Sequence, residues 1–366
     1  MSDERFLLKD LFSLETVGVI ADAVAAADPT FDPAPFLAAV FDDEWDDREL
    51  KQRMRHSAEC LRAALPDDYA TALEILVRAA PAADAAGFAA MVLSDFVEAF
   101  GVDDFAASIP ALEVFTRNVS AEFAVRPFLV RYPDRMLEQM HEWAASDDAD
   151  LRRLASEGTR PRLPWGMALK QYQADPGPLL PLLKGLAHDP SEVVRRSVAN
   201  NLNDIAKDHP DLVVDVLAAW QDGSAEVSGI TKHALRVLLK KGHIGALRLL
   251  GFHPDPAVSL TDLSVEPETV PVGGKVSVSF TVRSTADEPQ SVMVDGVVHY
   301  ARPTGISTKV FKWKTGELDP GETWTIKRSV TLQPMSTRRI HPGIHSCEVQ
   351  INGDRVARIE FEVTPG

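Results

Sequence analysis

The period at which apolar residues recur changes once along this chain, and that change limits the fold more than any other feature. Up to about Leu250, apolar side chains return at helical spacing, as in Leu73, Leu76, Val77 and Ala80, the i, i+3, i+4, i+7 pattern of one helix face. After Gly251-Phe252-His253-Pro254-Asp255-Pro256, a linker signature, the period drops to two. Helical and pleated faces bury apolar surface differently, so two domains are expected: an all-α domain over residues 1–252 and an all-β domain over residues 258–366. A length of 366 residues agrees with more than one domain.

The helical part carries an internal repeat. Leu151-Arg152-Arg153-Leu154-Ala155 is echoed 43 residues later by Val194-Arg195-Arg196-Ser197-Val198, and more loosely, 36 further on, at Ile230-Thr231-Lys232-His233-Ala234. Each copy follows an acidic turn: Ser146-Asp147-Asp148, His188-Asp189-Pro190 or Gln221-Asp222-Gly223. A period near 40 with two helices per unit predicts a HEAT-like solenoid. In the β part, seven strands are expected: Leu260–Val265, Val276–Val282, Ser291–Tyr300, Lys309–Lys314, Thr323–Leu332, His345–Ile351 and Arg355–Val363. That number, with turn signals between them, fits an immunoglobulin-like β-sandwich.

Charge is distributed unevenly. The net charge is −16, but residues 1–150 carry 12 Lys+Arg against 30 Asp+Glu, whereas residues 151–257 carry 14 against 11. A locally basic middle can focus a polyanion on one surface despite the acidic total. Cys60 and Cys347 make neither a disulfide framework nor metal-ligand spacing, and are expected to be buried thiols. No uninterrupted apolar run is long enough for a transmembrane helix, and the opening Met1–Asp10 lacks the pattern of a secretory leader. Familiar catalytic and nucleotide-binding signatures are missing, and Gly273-Gly274-Lys275 reads as a turn before a strand. The histidines form no ligand cluster in the sequence, so no metal and no cofactor are expected.

One segment stands out, Leu151-Arg152-Arg153-Leu154-Ala155-Ser156-Glu157-Gly158-Thr159-Arg160-Pro161-Arg162-Leu163-Pro164-Trp165. It packs four arginines into eleven residues, with one carboxylate and a tryptophan. Pro161 and Pro164 should end the helix and stiffen the chain beyond it. Within the helix, Arg153 and Glu157 are expected to meet at i, i+4. Arginine binds phosphate through two parallel bonds, and tryptophan offers a π-face to a base or cation. The segment therefore reads either as a surface salt bridge with a buried Trp or as a polyanion clamp around an aromatic platform. Arg195 to Asp204 occupies the equivalent helix of the next repeat, so both patches are expected to line one groove.

These residues give the chain a resemblance. Arg153–Trp165 and Val194–Asp204 resemble the bacterial AlkC/AlkD superfamily of HEAT-like DNA alkylation-repair glycosylases, and the AlkC branch closely. Val294-Asp295-Gly296-Val297-Val298-His299-Tyr300, Lys309–Lys314 and Arg338-Arg339-Ile340-His341-Pro342-Gly343 are similar to the immunoglobulin-like extension of one AlkC subgroup. The resemblance implies a monofunctional glycosylase that removes cationic methylated bases such as N3-methyladenine and N3-methylcytosine from double-stranded DNA without flipping them. It also implies a bacterial cytoplasmic protein, on the nucleoid when bound to DNA, monomeric and without membrane contact. Glu157 and Trp165 match the family motif, Asp204 matches the acidic position of the next repeat, and Glu122 is expected as the third carboxylate on a preceding inner helix. Arg152, Arg160, Arg162, Lys170, Arg195 and Lys232 are expected phosphate contacts. Lys309, Lys312, Lys314, Arg338 and Arg339 are their counterparts in the β-domain. A non-catalytic lesion-binding protein and a HEAT-repeat protein-interaction scaffold are the competing readings.

Overall fold

In the computed structural model, residues 7–335 and 338–366 are described; the first six positions of the stretch read for a leader lie outside them. The chain divides into two compact units, residues 1–208 with 222–233 and residues 209–221 with 234–366. Compactness thus follows packing rather than apolar period, because helices on both sides of residue 222 group with the strands.

The first unit is built from α1 (Leu14–Ala27), α2 (Pro33–Val40), α3 (Leu50–Ala64), α4 (Tyr69–Ala83), α5 (Met91–Phe100), α6 (Phe105–Asn118), α7 (Val125–Arg131), α8 (Pro133–Ala144), α9 (Ala149–Gly158), α10 (Lys170–Ala174), α11 (Leu180–Gly185) and α12 (Glu192–Ile205). The remaining helices are α13 (Pro210–Trp220), α14 (Ala225–Ala234), α15 (Arg236–Lys240) and α16 (Ile244–Leu249). Caps set several starts: the carboxylates of Asp68, Asp104 and Asp148 accept from Thr71 N, Ala107 N and Asp150 N, satisfying donors that a helix N-terminus leaves open. Neighbouring helices stack as the repeat predicts: α4 packs on α1 and α6, and α9 on α6, α8 and α12. Gly158 permits the close approach of α9 to α7, since a Cβ there would lie 2.6 Å from Val125 Cγ2. The stretch Tyr69–Phe100 is long and apolar enough to cross a membrane by length and composition. It is nevertheless broken at Gly87 (φ 57°), and more than half of its most apolar part is buried against the rest of the protein.

The second unit is a two-sheet sandwich with helices attached. Its strands are β1 (Val258–Glu266), β2 (Thr269–Pro271), β3 (Lys275–Ser284), β4 (Gln290–Ala301), β5 (Ile306–Leu318), β6 (Thr323–Thr331), β7 (Gly343–Ile351) and β8 (Asp354–Thr364). One sheet has the order β1-β3-β6, the other β2-β8-β7-β4-β5, and among the described residues only β2 and β8 pair in parallel. The seven expected strands are all present. The eighth, β2, escaped notice because three residues cannot display an alternation. β5 extends beyond its expected span, and a bulge opposite Val294/Asp295 interrupts its pattern. Trp313 lies in that bulge and covers Gly296, where a Cβ would sit 2.0 Å from the indole. Val278, Phe280, Val298, Trp313, Trp324 and Phe361 share the core between the sheets. α13 and α15 pack on α16, and Gly242, just after α15, meets Gly353 of the β7–β8 turn backbone to backbone. Cys347 is buried and Cys60 only partly so; both thiols are free.

Candidate active site

The seam between α9 and α12 is polar where a helix seam is normally apolar. On α12 the buried Ser197, Asn201 and Asp204 follow one another at i, i+4, i+7 and form a polar stripe. They face the last turn of α9. Ser197 Oγ donates to Glu157 Oε2 at 2.6 Å, and Asn201 Nδ2 donates to Ser156 O at 2.8 Å. Arg160, just past the helix end, completes the cluster. Its Nη1 donates to Glu157 Oε1 at 2.7 Å and its Nε to Asp204 Oδ2 at 2.8 Å. Lys207 Nζ holds the other oxygen, Asp204 Oδ1, at 2.8 Å. Burial opposes the charge on Arg160, but Glu157 and Asp204 outweigh it and hold the guanidinium more basic than usual.

Glu122 sits on the far side of Arg153. The expected Arg153–Glu157 pair is not formed, because Glu157 points into the α12 seam. Arg153 Nη2 instead donates to Glu122 Oε2 at 2.8 Å, and Ser120 Oγ to the same oxygen at 3.0 Å. Nor is Glu122 on an inner helix as expected. It lies in the turn between α6 and α7, where the backbone leaves helical geometry at Val119 and Ser120 Oγ accepts from Glu122 N.

Trp165 lies on the loop Pro161–Leu169, which leaves the end of α9 just past Arg160. Proline ends α9 as expected, and the loop closes through Gly166 N to Leu163 O (3.1 Å) and Leu169 N to Pro161 O (3.2 Å). Leu163 is buried, whereas Trp165 is 59% exposed and adopts φ 60°, a strained conformation for a bulky residue. Trp165 is thus displayed rather than buried. Beneath the loop lies Arg126, fully buried, which donates from Nη1 to Gly158 O at 2.9 Å and from Nε to Met167 O at 2.5 Å. Burial, with the positive Arg160 nearby, pulls its pKa down to about 10.

The expected phosphate contacts differ in what they can offer. Lys170 and Lys232 are exposed. Arg162 is exposed while paired with Asp208 at 2.7 Å. Arg152 makes a two-bonded pair with Asp189, at 2.6 and 3.0 Å, and Arg195 Nη1 donates to the carbonyls of Asp189 and Pro190. Arg195 also lines a groove of about 260 Å³ between α12 and α14, with Arg196, Gly229 and His233. His233 Nε2 lies 2.8 Å from Asn200 Oδ1. Arg160 is turned inward, 7% exposed and committed to two carboxylates, so it holds the cluster together and does not face solvent. In the second unit Lys309, Lys312 and Arg339 are exposed. Lys314 Nζ lies over the Trp324 ring at 4.0 Å, and Arg338 lies over Tyr300 at 4.3 Å. Among the described residues no group of His, Cys, Asp and Glu is arranged to hold a metal ion.

Sequence reading missed Arg126, Ser197 and Lys207. The Ser197–Asn201–Asp204 spacing was a legible signal for one of them, since three polar residues on one face of a repeat helix are unusual where apolar residues normally pack. Arg126 and Lys207 carried no such signal.

A family profile described as DNA alkylation repair enzyme matches residues 116–238, and one described as the C-terminal Ig-like domain of the uncharacterised protein YhaZ matches residues 259–365. The uncharacterized protein YhaZ of Bacillus subtilis (strain 168) is 37% identical over 357 residues, which is 97% of this chain and 99% of that protein. Among solved structures, the alkylpurine DNA glycosylase AlkC of Pseudomonas fluorescens, bound to DNA containing an abasic site analog, is 39% identical. It superimposes with a TM-score of 0.93 over 98% of this chain and 100% of that one. A helical unit with a buried Glu157–Arg160–Asp204 cluster, a C-terminal immunoglobulin-like domain and near-complete correspondence to these relatives mean that the chain belongs to the AlkC family of DNA alkylation-repair proteins.

Proposed function

We propose that the protein is a monofunctional DNA glycosylase that hydrolyses the N-glycosidic bond of cationic alkylated bases, N3-methyladenine and N3-methylcytosine among them, and leaves an abasic site. The observation that carries this reading is the end of α9, where carboxylates fixed in place by cations and hydroxyls give way to a loop that displays Trp165. A methylated, positively charged base departs readily, so little proton donation is needed. As it leaves, positive charge grows on the deoxyribose. A carboxylate about 4 Å away, at an effective dielectric near 20, stabilises that charge by roughly 4 kcal/mol, or about a thousandfold in rate. Glu157 and Asp204, held by Arg160, Ser197 and Lys207, need no reorganisation to supply it. Glu122 is the third carboxylate, and one of the three orients the attacking water. The exposed indole of Trp165 contacts the sugar and the cationic base, which suits recognition at the surface without base flipping. As written, the reaction calls on no metal or organic cofactor.

Double-stranded DNA is the partner, and support for it comes from the DNA-bound relative. Arg152, Arg162, Lys170, Arg195 and Lys232 serve as phosphate contacts, with Lys309, Lys312, Lys314 and Arg339 as a second set on the immunoglobulin-like domain. Arg160 and Arg338 act through the contacts they already make. We take the protein to work as a monomer in the bacterial cytoplasm.

The test is incubation of the purified protein with methylated duplex DNA, then chromatography of released bases. Release is expected, with Glu122→Gln, Glu157→Gln and Asp204→Asn slowing it by about a hundredfold or more while undamaged-duplex binding changes little. Lesion-dependent binding without release would make the protein a damage sensor, and equal losses of binding and release in the variants would remove these residues from the chemistry.

A further inference from the structure

Arg126 is the part of the helical unit that the chemistry above does not use. Its side chain is fully buried, yet its hydrogen bonds run to two main-chain carbonyls, and Nη2 has no partner among the described residues. A buried guanidinium satisfied in this way is costly beside an apolar side chain of similar volume, so its presence calls for a physical reason.

The two carbonyls provide one. Gly158 O belongs to the last turn of α9, one residue after Glu157, and Met167 O belongs to the loop that displays Trp165. That loop is strained: a bulky residue at φ 60° persists only where its surroundings over-determine it. Its two turn bonds, from Gly166 N and Leu169 N, and the buried Leu163 and Leu169 pin the ends of the loop. Between Gly166 and Leu169, Arg126 Nε holds the backbone at Met167 O. Gly166 packs on the same group, since a Cβ there would lie 3.3 Å from Arg126 Cδ and Nε and 3.1 Å from Leu163 Cδ2.

We propose that Arg126 is the positioning residue of Trp165: it ties the strained loop to the end of α9 and so fixes the indole relative to Glu157. Its consequence for catalysis rests on the glycosylase reading; its geometry does not.

A double-mutant cycle tests the inference. Single-turnover release of N3-methyladenine from methylated duplex is measured for the wild type, Arg126→Met, Trp165→Ala and the double variant, beside binding of undamaged duplex. Arg126→Met should slow release about 10- to 100-fold with binding changed less than about threefold, and should add less than about threefold to Trp165→Ala, because contacts in series are not additive. Additive losses, or equal losses in binding and release, overturn the proposal. Should Arg126→Met fail to fold, Gly166→Ala takes its place, since it wedges the loop from the guanidinium without removing a charge. It should slow release by about three- to tenfold, and unchanged release overturns the proposal. Loop placement is read without DNA as the acrylamide quenching of the wild type minus that of Trp165→Phe, which isolates the indole at 165. Arg126→Met or Gly166→Ala must shift this difference, and no shift overturns the proposal whatever the activity. A shift in protein whose wild type releases no base sinks the glycosylase reading and leaves the role of Arg126 standing.

Discussion

Arg160→Met removes the guanidinium that joins Glu157 to Asp204. It bonds to them at 2.7 and 2.8 Å, and the carboxylates are 7% and 1% exposed, so solvent replaces little of what the guanidinium supplies. Orphaning a buried member of an ion pair costs about 3–5 kcal/mol. Each carboxylate keeps one other partner, Glu157 the Ser197 hydroxyl and Asp204 the Lys207 ammonium, which places the expected loss near the low end, about 3 kcal/mol. In a unit of roughly 200 residues that is a fall in Tm of about 6–12 °C. Circular-dichroism melts of the wild type, Arg160→Met and the triple variant Glu157→Gln/Arg160→Met/Asp204→Asn measure it. The triple variant should recover part of the loss, because amides leave no orphaned charge. A loss under about 1 kcal/mol, with no recovery in the triple variant, would refute the view of this cluster as one ion network.

Other outcomes are expected of the same structure. Burial pushes the Asp295 carboxyl up to about 6, against nearby Lys312 and Lys240. A raised acid is neutral in the folded state while ionised in the unfolded one, so the second unit loses stability as pH climbs from about 4 to 6. Asp295→Asn should therefore raise its Tm at pH 7.5, by an amount worth about 3 kcal/mol, and change little at pH 4; a rise of equal size at both would dismiss the titration. Gly158→Ala drives a Cβ to 2.6 Å from Val125 Cγ2 and should destabilise the helical unit by about 1–3 kcal/mol, with Val125→Ala in the same chain restoring part. Lys170→Gln and Lys232→Gln, both at exposed positions, should each flatten the log–log salt dependence of DNA binding by roughly 0.9; an unchanged slope takes that lysine off the contact surface.

Much of the architecture was legible because it is written in short-range pattern. Leu73, Leu76 and Ala80 turn their shared helix face inward in α4, and Val276, Val278, Phe280 and Val282 alternate into the sandwich core from β3. Strand β2 and the extension of β5 were not legible, for reasons equally local: three residues are too few to alternate, and a bulge shifts the pattern. The boundary of the second compact unit was hidden for a different reason. α13 and α16 carry an ordinary helical period, and only their packing places them with the strands.

The candidate site divides in the same way. Residue chemistry and spacing singled out Glu157, Trp165 and Asp204, and prolines on either side of Arg162 announced a stiff loop. Which cation holds which carboxylate was decided by tertiary structure. Arg160 reaches Asp204 across 44 positions, Ser197 reaches Glu157 across 40, and Arg153 turns away from its helical neighbour to Glu122, 31 positions back. Periodicity is local and survives in a one-dimensional reading. The choice of ion-pair partner depends on where two distant helices stop and how closely they pack, and so does the burial of Arg126 under the Trp165 loop. Those distances exist only once the chain has folded.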